Sequence, residues 1–270
     1  MPKIITLTTD FGLTEEYVGV IKGVILTRSP DASIVDLSHQ IERHNICQAA
    51  LLIKSAYRFF PAGTIHLLVV DPGVGSSRKL ILLQADGHFF LAPDNGVLGL
   101  FLDPEYFQAA YEVICDQYYL SPVSATFHGR DILAPVAAEL ASGLDPEAVV
   151  PVIDLQVLKK LEVAAVKTDI ERGIIAGEII GRDHFGNLQT NITGSSLKAL
   201  FSGHESTIRI IVKDTTITGV QAAYFEKAPG EVLAIVNSKE YLEIAVNQGN
   251  AAKVLGAVTG EKVTVVKKMM

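Results

Sequence analysis

Apolar residues follow two rhythms along this chain, and the rhythm changes once. In the first half, short apolar runs alternate with helical periodicity. Lys3 to Thr9, Ser33 to Leu37, Thr64 to Val70 and Ala109 to Ile114 read as strands. Between them, Val18, Ile21 and Ile25 recur on one face of a helix over Glu15 to Thr27. Ile46, Ala50, Ile53 and Tyr57 do the same over Asn45 to Phe59, and Arg130 to Ser142 reads as a third helix stopped by Gly143. Lys79 to Ala85 and His88 to Ala92 flank Asp86-Gly87, a two-residue hairpin signal. Pro93 to Gly96 reads as a turn before a short helix. Strand–helix alternation of this kind predicts an α/β domain with a mostly parallel sheet.

From Gly143 to Lys160 no clean period survives, and after Leu161 helices nearly vanish. Ile174 to Ile180, Thr207 to Val212, Val232 to Val236, Tyr241 to Val246 and Lys262 to Val266 are short strands between turn residues; only Gly194 to Phe201 has helical character. This half reads as a small all-β, barrel-like domain. The expected division is an α/β domain over 1–158 and a β domain over 159–270.

Composition narrows the class. The chain has 270 residues, 49% of them hydrophobic, and a formal net charge of −7. That acidity disfavours nucleic acid and anionic membrane surfaces as partners. No apolar run reaches the roughly 18 residues of a membrane span, and the N-terminus reads as a strand rather than a signal peptide, so the expected location is the cytoplasm. Cys47 and Cys115 form no CxxC pair or zinc spacing and read as buried thiols. GxGxxG, GxxxxGK[ST], GxSxG and HExxH are all absent, and no metal site is expected.

Asp71-Pro72-Gly73-Val74-Gly75-Ser76-Ser77-Arg78 carries the sharpest chemical signal. The strand Thr64 to Val70 ends in an acid, glycines let a ligand approach the backbone, and Arg78 is placed to fold back onto Asp71. Asp10 ends the first strand, where a carboxylate either accepts a ribose diol or caps the next helix. His128 precedes a helix and serves either as a base or as a solvated cap. Asp183-His184-Phe185-Gly186-Asn187 reads either as an adenine-binding cluster or as a hairpin loop. Ser38 to Asn45, holding His39 and His44, reads as a surface loop or a lid. Asn237-Ser238-Lys239 reads as a turn, and His66, His88 and His204 as structural.

Six segments in order resemble the S-adenosylmethionine (SAM) hydroxide adenosyltransferase family, relatives of the SAM-dependent fluorinase and chlorinase. They are Thr8 to Gly12, Asp71 to Gly75 with Arg78, Ala92 to Gly96, Phe127 to Asp131, Asp183 to Asn187 with Thr190 to Ile192, and Asn237-Ser238 with Tyr241-Leu242 and Ile244-Ala245. The resemblance implies a homotrimer with sites between subunits. It implies Asp71, Arg78 and His128 as a catalytic triad that prepares water, and no cofactor beyond SAM as substrate. It matches Asp10 to a ribose-binding acid, Asp183 and Ser238 to residues holding the methionine end, and Asn187 and Phe185 to the adenine pocket, with Tyr224 as a further aromatic face. Glu15 stands where relatives often have Asp, Lys239 where the fluorinase has Arg, and His44 where the fluorinase has a tryptophan. The halogenating relatives carry other residues at the Asp and His positions of the triad, so the resemblance favours water over halide; a halogenase, or a non-catalytic binder of SAM or adenosine, is the alternative.

Overall fold

The apolar runs over 4–9, 65–69 and 80–85 are buried strands, as a sheet covered on both faces requires, whereas the edge strand over 33–38 is largely exposed. The computed structural model describes residues 3–149, 151–162, 164–204 and 206–267. The chain divides into two compact units, Met1–Glu162 and Val163–Met270. The first contains β1 (Ile4–Thr9), α1 (Tyr17–Arg28), β2 (Ser33–Ser38), α2 (Ile46–Ala56), β3 (Ile65–Val69), β4 (Leu80–Ala85), β5 (His88–Pro93), β6 (Phe107–Glu112) and α3 (Ala134–Ala141). Its sheet runs β2-β1-β3-β5-β4-β6. The pairings β1–β2, β1–β3 and β3–β5 are parallel. The Asp86-Gly87 hairpin makes β4 antiparallel to β5, and β6 pairs antiparallel with β4.

Ile21 and Ile25 of α1 and Val136 and Leu140 of α3 pack with Ile5, Leu7, Ile65 and Leu67. Ala49, Ala50 and Ile53 of α2 instead pack with Leu68, Val70, Ile81 and Leu83, the alternate residues facing the other way. The Asn45 side chain accepts from Gln48 N–H and starts α2, which ends in a 3₁₀ turn at Tyr57–Phe59 rather than continuing as one helix. The short helix expected after Gly96 is likewise only a 3₁₀ turn, Gly99–Phe101.

The second unit contains β7 (Lys167–Asp169), β8 (Ile174–Arg182), β9 (Leu188–Thr193), α4 (Gly194–Phe201), β10 (Arg209–Val212), β11 (Thr215–Thr218), β12 (Val232–Val236), β13 (Tyr241–Val246), α5 (Ala251–Leu255) and β14 (Lys262–Val266). Its antiparallel sheet runs β11-β10-β14-β8-β9-β13-β12. Gln221, just past β11, bridges to Ile235 of β12, so the sheet curls into a nearly closed barrel. Its core includes Ile175, Ile179, Ile210, Ile244 and Val263.

Three local expectations change. His39 is buried rather than on a surface loop, because Thr9 Oγ1 lies 2.9 Å from its Nδ1 and Asp36 Oδ1 lies 3.0 Å from its Nε2. Cys47 and Cys115 are half-buried rather than buried, and neither forms a disulfide. The β half also holds a second helix, α5. Among the described residues no helix is long and apolar enough to cross a membrane.

Candidate active site

Strand order brings the site together. β1 and β3 are parallel neighbours with Thr9 opposite Val69, so Asp10 and Asp71 emerge at the same carboxyl edge of the sheet. Ligands of open α/β sheets bind at that edge. Past Val70 the chain turns through Gly75, which has φ +78°; a Cβ there would lie 2.4 Å from Ala125 O. Only glycine fits this close approach of two loops.

The turn returns Arg78 to Asp71. Arg78 Nε donates to Asp71 Oδ1 and Oδ2 at 2.8 Å each, and Nη2 donates to Oδ2 as well. Both side chains are more than nine-tenths buried. Nη2 also lies 3.1 Å from His128 Nδ1. Arginine only donates, so Nδ1 is the acceptor and the neutral ring carries its proton on Nε2. Burial, then the nearby Arg78 charge, hold the His128 pKa below its ordinary value against the opposing pull of Asp71 and Asp131.

His128 sits where a π turn, Gly129–Leu133, leads into α3. Asp131 fixes this segment. It is buried, accepts from Arg130 Nε at 2.6 Å and Nη2 at 2.9 Å, and takes the Ser124 N–H at 2.8 Å.

A cavity of about 370 Å³ opens beside these groups, lined by Asp10, Asp71 and His128 among others. That volume suits a small-molecule ligand. Asp10 does not cap α1. Its Oδ2 accepts the N–H of His44 at 2.9 Å, tying the Ile41–Asn45 loop to the end of β1. Glu15, Arg43 and His44 line the same cavity. Phe11, Tyr17 and Phe127 line it too. Sequence reasoning assigned these three rings no role, although Phe11 and Phe127 lie inside segments it singled out and Tyr17 follows closely on Glu15.

The remaining candidates lie in the second unit. Asp183, Phe185 and Asn187 form the β8–β9 hairpin loop. Asp183 Oδ1 accepts the Asn187 N–H at 2.8 Å and Oδ2 accepts Asn187 Nδ2 at 3.0 Å. Gly186 has φ +88°, and a Cβ there would strike the Asn250 side chain. Phe185 stands 72% exposed. Tyr224 and the turn bearing Ser238 converge on a residue the sequence reading passed over, Glu243. This buried carboxylate accepts Tyr224 OH at 2.8 Å and Asn237 Nδ2 at 3.0 Å, while Asn237 Oδ1 takes the N–H of Lys239 and of Tyr241. Burial and then the bond to Glu243 push the Tyr224 pKa up to about 12. An acid on an otherwise apolar strand was the available signal. Among the described residues no group of three or more His, Cys, Asp or Glu is arranged to hold a metal.

An acid–guanidinium–imidazole cluster at the strand ends of an α/β sheet, beside a ligand-sized cavity, marks an enzyme of small molecules. Residues 5–150 match the SAM hydroxide adenosyltransferase N-terminal domain and residues 177–264 its C-terminal domain. The chain belongs to this family. It is 36% identical to the (R)-S-adenosyl-L-methionine hydrolase of Salinispora tropica, covering 97% of each chain. It is 26% identical to the fluorinase of Actinoplanes sp., covering 98% of this chain and 97% of that one. An uncharacterized conserved protein from Thermotoga maritima has the same fold, with a TM-score of 0.89 and 35% identity over 98% of this chain and 100% of that one.

Proposed function

We propose that this protein hydrolyses SAM to adenosine and L-methionine by attack of water on ribose C5′. The water oxygen forms the new bond to C5′ as the C5′–S bond breaks. The bonding pair leaves with sulfur, which becomes the neutral thioether of methionine, and the water's proton passes to the site and then to solvent. The leaving group is excellent, so orientation of the water matters more than its full deprotonation.

The observation that carries this reading is the contact of one guanidinium with both Asp71 and His128 at the wall of a ligand-sized cavity. Arg78 engages Asp71 through Nε and Nη2, both of which reach Oδ2, leaving Oδ1 a further lone pair for the water. With Nδ1 occupied by Arg78, His128 offers Nε2–H as a donor. Asp71 then takes the proton and His128 orients the water oxygen, a division of roles that the pairing with Arg78 supports. Asp10 receives the ribose hydroxyls.

Asp183, Phe185, Asn187, Tyr224 and Ser238 bind the adenine and methionine ends from a neighbouring subunit of a homotrimer. Their support is the family's motif pattern and the exposure of the Phe185 ring. The trimer acts in the cytoplasm and uses no metal.

The test is incubation of the purified protein with SAM, with and without chloride. Adenosine and methionine are expected in both. 5′-Chloroadenosine would make it a halogenase, and bound but unchanged SAM would make it a binding protein. Asp71→Ala and His128→Ala should each cut turnover about 10²- to 10⁴-fold while SAM still binds; full rates in both would overturn the triad. Sedimentation of the intact protein tests the trimer.

A further inference from the structure

Phe11, Tyr17 and Phe127 meet as a triangle. Ring centroids lie 5.5 Å apart for Phe11–Tyr17, 5.7 Å for Phe11–Phe127 and 5.4 Å for Tyr17–Phe127, the last two pairs edge to face. All three rings line the cavity that holds Asp71 and His128. Phe127 already carries a cation, with the Arg130 guanidinium 5.0 Å from its centroid. Phe11 and Tyr17 have no cation over them among the described residues. Tyr17, at the start of α1, is 41% exposed, although an aromatic ring facing water gains nothing there by itself. The cavity wall also carries Asp10, Glu15 and Asp71 against Arg43, so carboxylates outnumber guanidinium groups.

We propose that this aromatic wall recognises the positive charge of the substrate's sulfonium, and that Tyr17 is a residue determining specificity for a charged over a neutral sulfur. The inference rests on the hydrolase reading. In-line attack sets the geometry: the water approaches C5′ at about 3–3.5 Å with sulfur one bond beyond, so sulfur lies within about 5 Å of a water held by Asp71 and His128. The cavity that holds the triad must therefore also hold the cation. Ring faces attract a desolvated cation, while neutral thioethers gain only ordinary contact. The charge leaves sulfur as the C5′–S bond breaks, so the wall favours the bound substrate over the transition state. It acts on KM, and its loss leaves kcat unchanged or slightly higher.

The experiment is calorimetric titration of S-adenosylmethionine and of S-adenosylhomocysteine, its neutral thioether counterpart, into the Asp71→Ala protein, where SAM survives. Tyr17→Leu in that background should weaken SAM binding about tenfold and leave S-adenosylhomocysteine within about twofold. Tyr17→Phe keeps the ring and should restore SAM binding. Phe11→Leu, on a different element, should repeat the selective loss if Tyr17→Leu proves unstable. Equal weakening of both ligands, or weakening of neither, overturns the proposal and leaves an apolar wall. A well-folded wild-type protein that binds neither ligand instead overturns the hydrolase reading beneath it.

Discussion

Arg78 Nη2 donates to His128 Nδ1 at 3.1 Å while the same guanidinium grips Asp71. A second proton on the imidazole would have to sit on Nδ1, facing a donor. Protonation of His128 therefore breaks this contact, and burial with the Arg78 charge resists it. A folded-state pKa below the ordinary histidine value means the working neutral form persists as pH falls through 6.5. The kcat/KM profile should stay flat there and bend down only at a lower pH. An acid limb at or above 6.5 would contradict the arrangement.

Lysine cannot replace Arg78. A guanidinium reaches two partners in fixed directions, whereas an ammonium is a single point charge on a flexible stem. Arg78→Lys should preserve the charge but lose the link between Asp71 and His128. Misplacing reacting groups by about 1 Å costs about 10²-fold, and steady-state kcat should fall by that order with SAM binding little changed.

Gly75 governs the same geometry through the backbone. Gly75→Ala meets a positive φ and the Ala125 carbonyl at 2.4 Å. The left-handed backbone alone costs roughly 1–2 kcal/mol, and relief of the clash moves the loop bearing Asp71. Thermal unfolding should show a lower Tm, and activity should drop further than stability accounts for.

Glu243 should tune Tyr224. Glu243→Gln removes the ionised acceptor but not the burial, so the Tyr224 pKa should fall from about 12 yet remain above 10. Ultraviolet titration against a Tyr224→Phe control isolates that residue.

Acid stability should depend on His66. It is fully buried with Thr6 Oγ1 at 2.8 Å and His88 Nδ1 at 3.3 Å, and burial drives its pKa down to about 3. Its neutral form contributes stability that is complete above pH 6.5 and is lost as pH falls from there towards 3. Unfolding midpoints of His66→Gln should fall less steeply across that window than those of the wild type.

Much of this was legible in the sequence because buried parallel strands leave nearly continuous apolar runs, as at Ile65–Val69, where only His66 interrupts. The Asp71–Arg78 pairing was legible because the glycines between them leave the chain little else to do. Other features were not. β9 reads Leu-Gln-Thr-Asn-Ile-Thr, whose polar residues mask a strand that the barrel supplies with partners on both sides. The helix α5 is only five residues long, and its signals were its ends: the Asn250 side chain caps Lys253 N–H, and Gly256 adopts φ +56°. His39 looked like a loop residue because its partners, Thr9 and Asp36, are distant in sequence or on the preceding strand. Glu243 stood out only as an acid on an otherwise apolar, buried strand, and nothing local announces its partners Tyr224 and Asn237.

The parallel register of β1 and β3 has an evolutionary consequence. Asp10 and Asp71 belong to different strands, and the spacing between them is set by the main-chain ladder, not by either side chain. The acid at position 71 can be exchanged without shifting the one at position 10. Such a sheet works as a tool holder: one socket keeps its carboxylate while the neighbouring socket accepts a new implement, so a lineage can trade one reacting group for another in few steps.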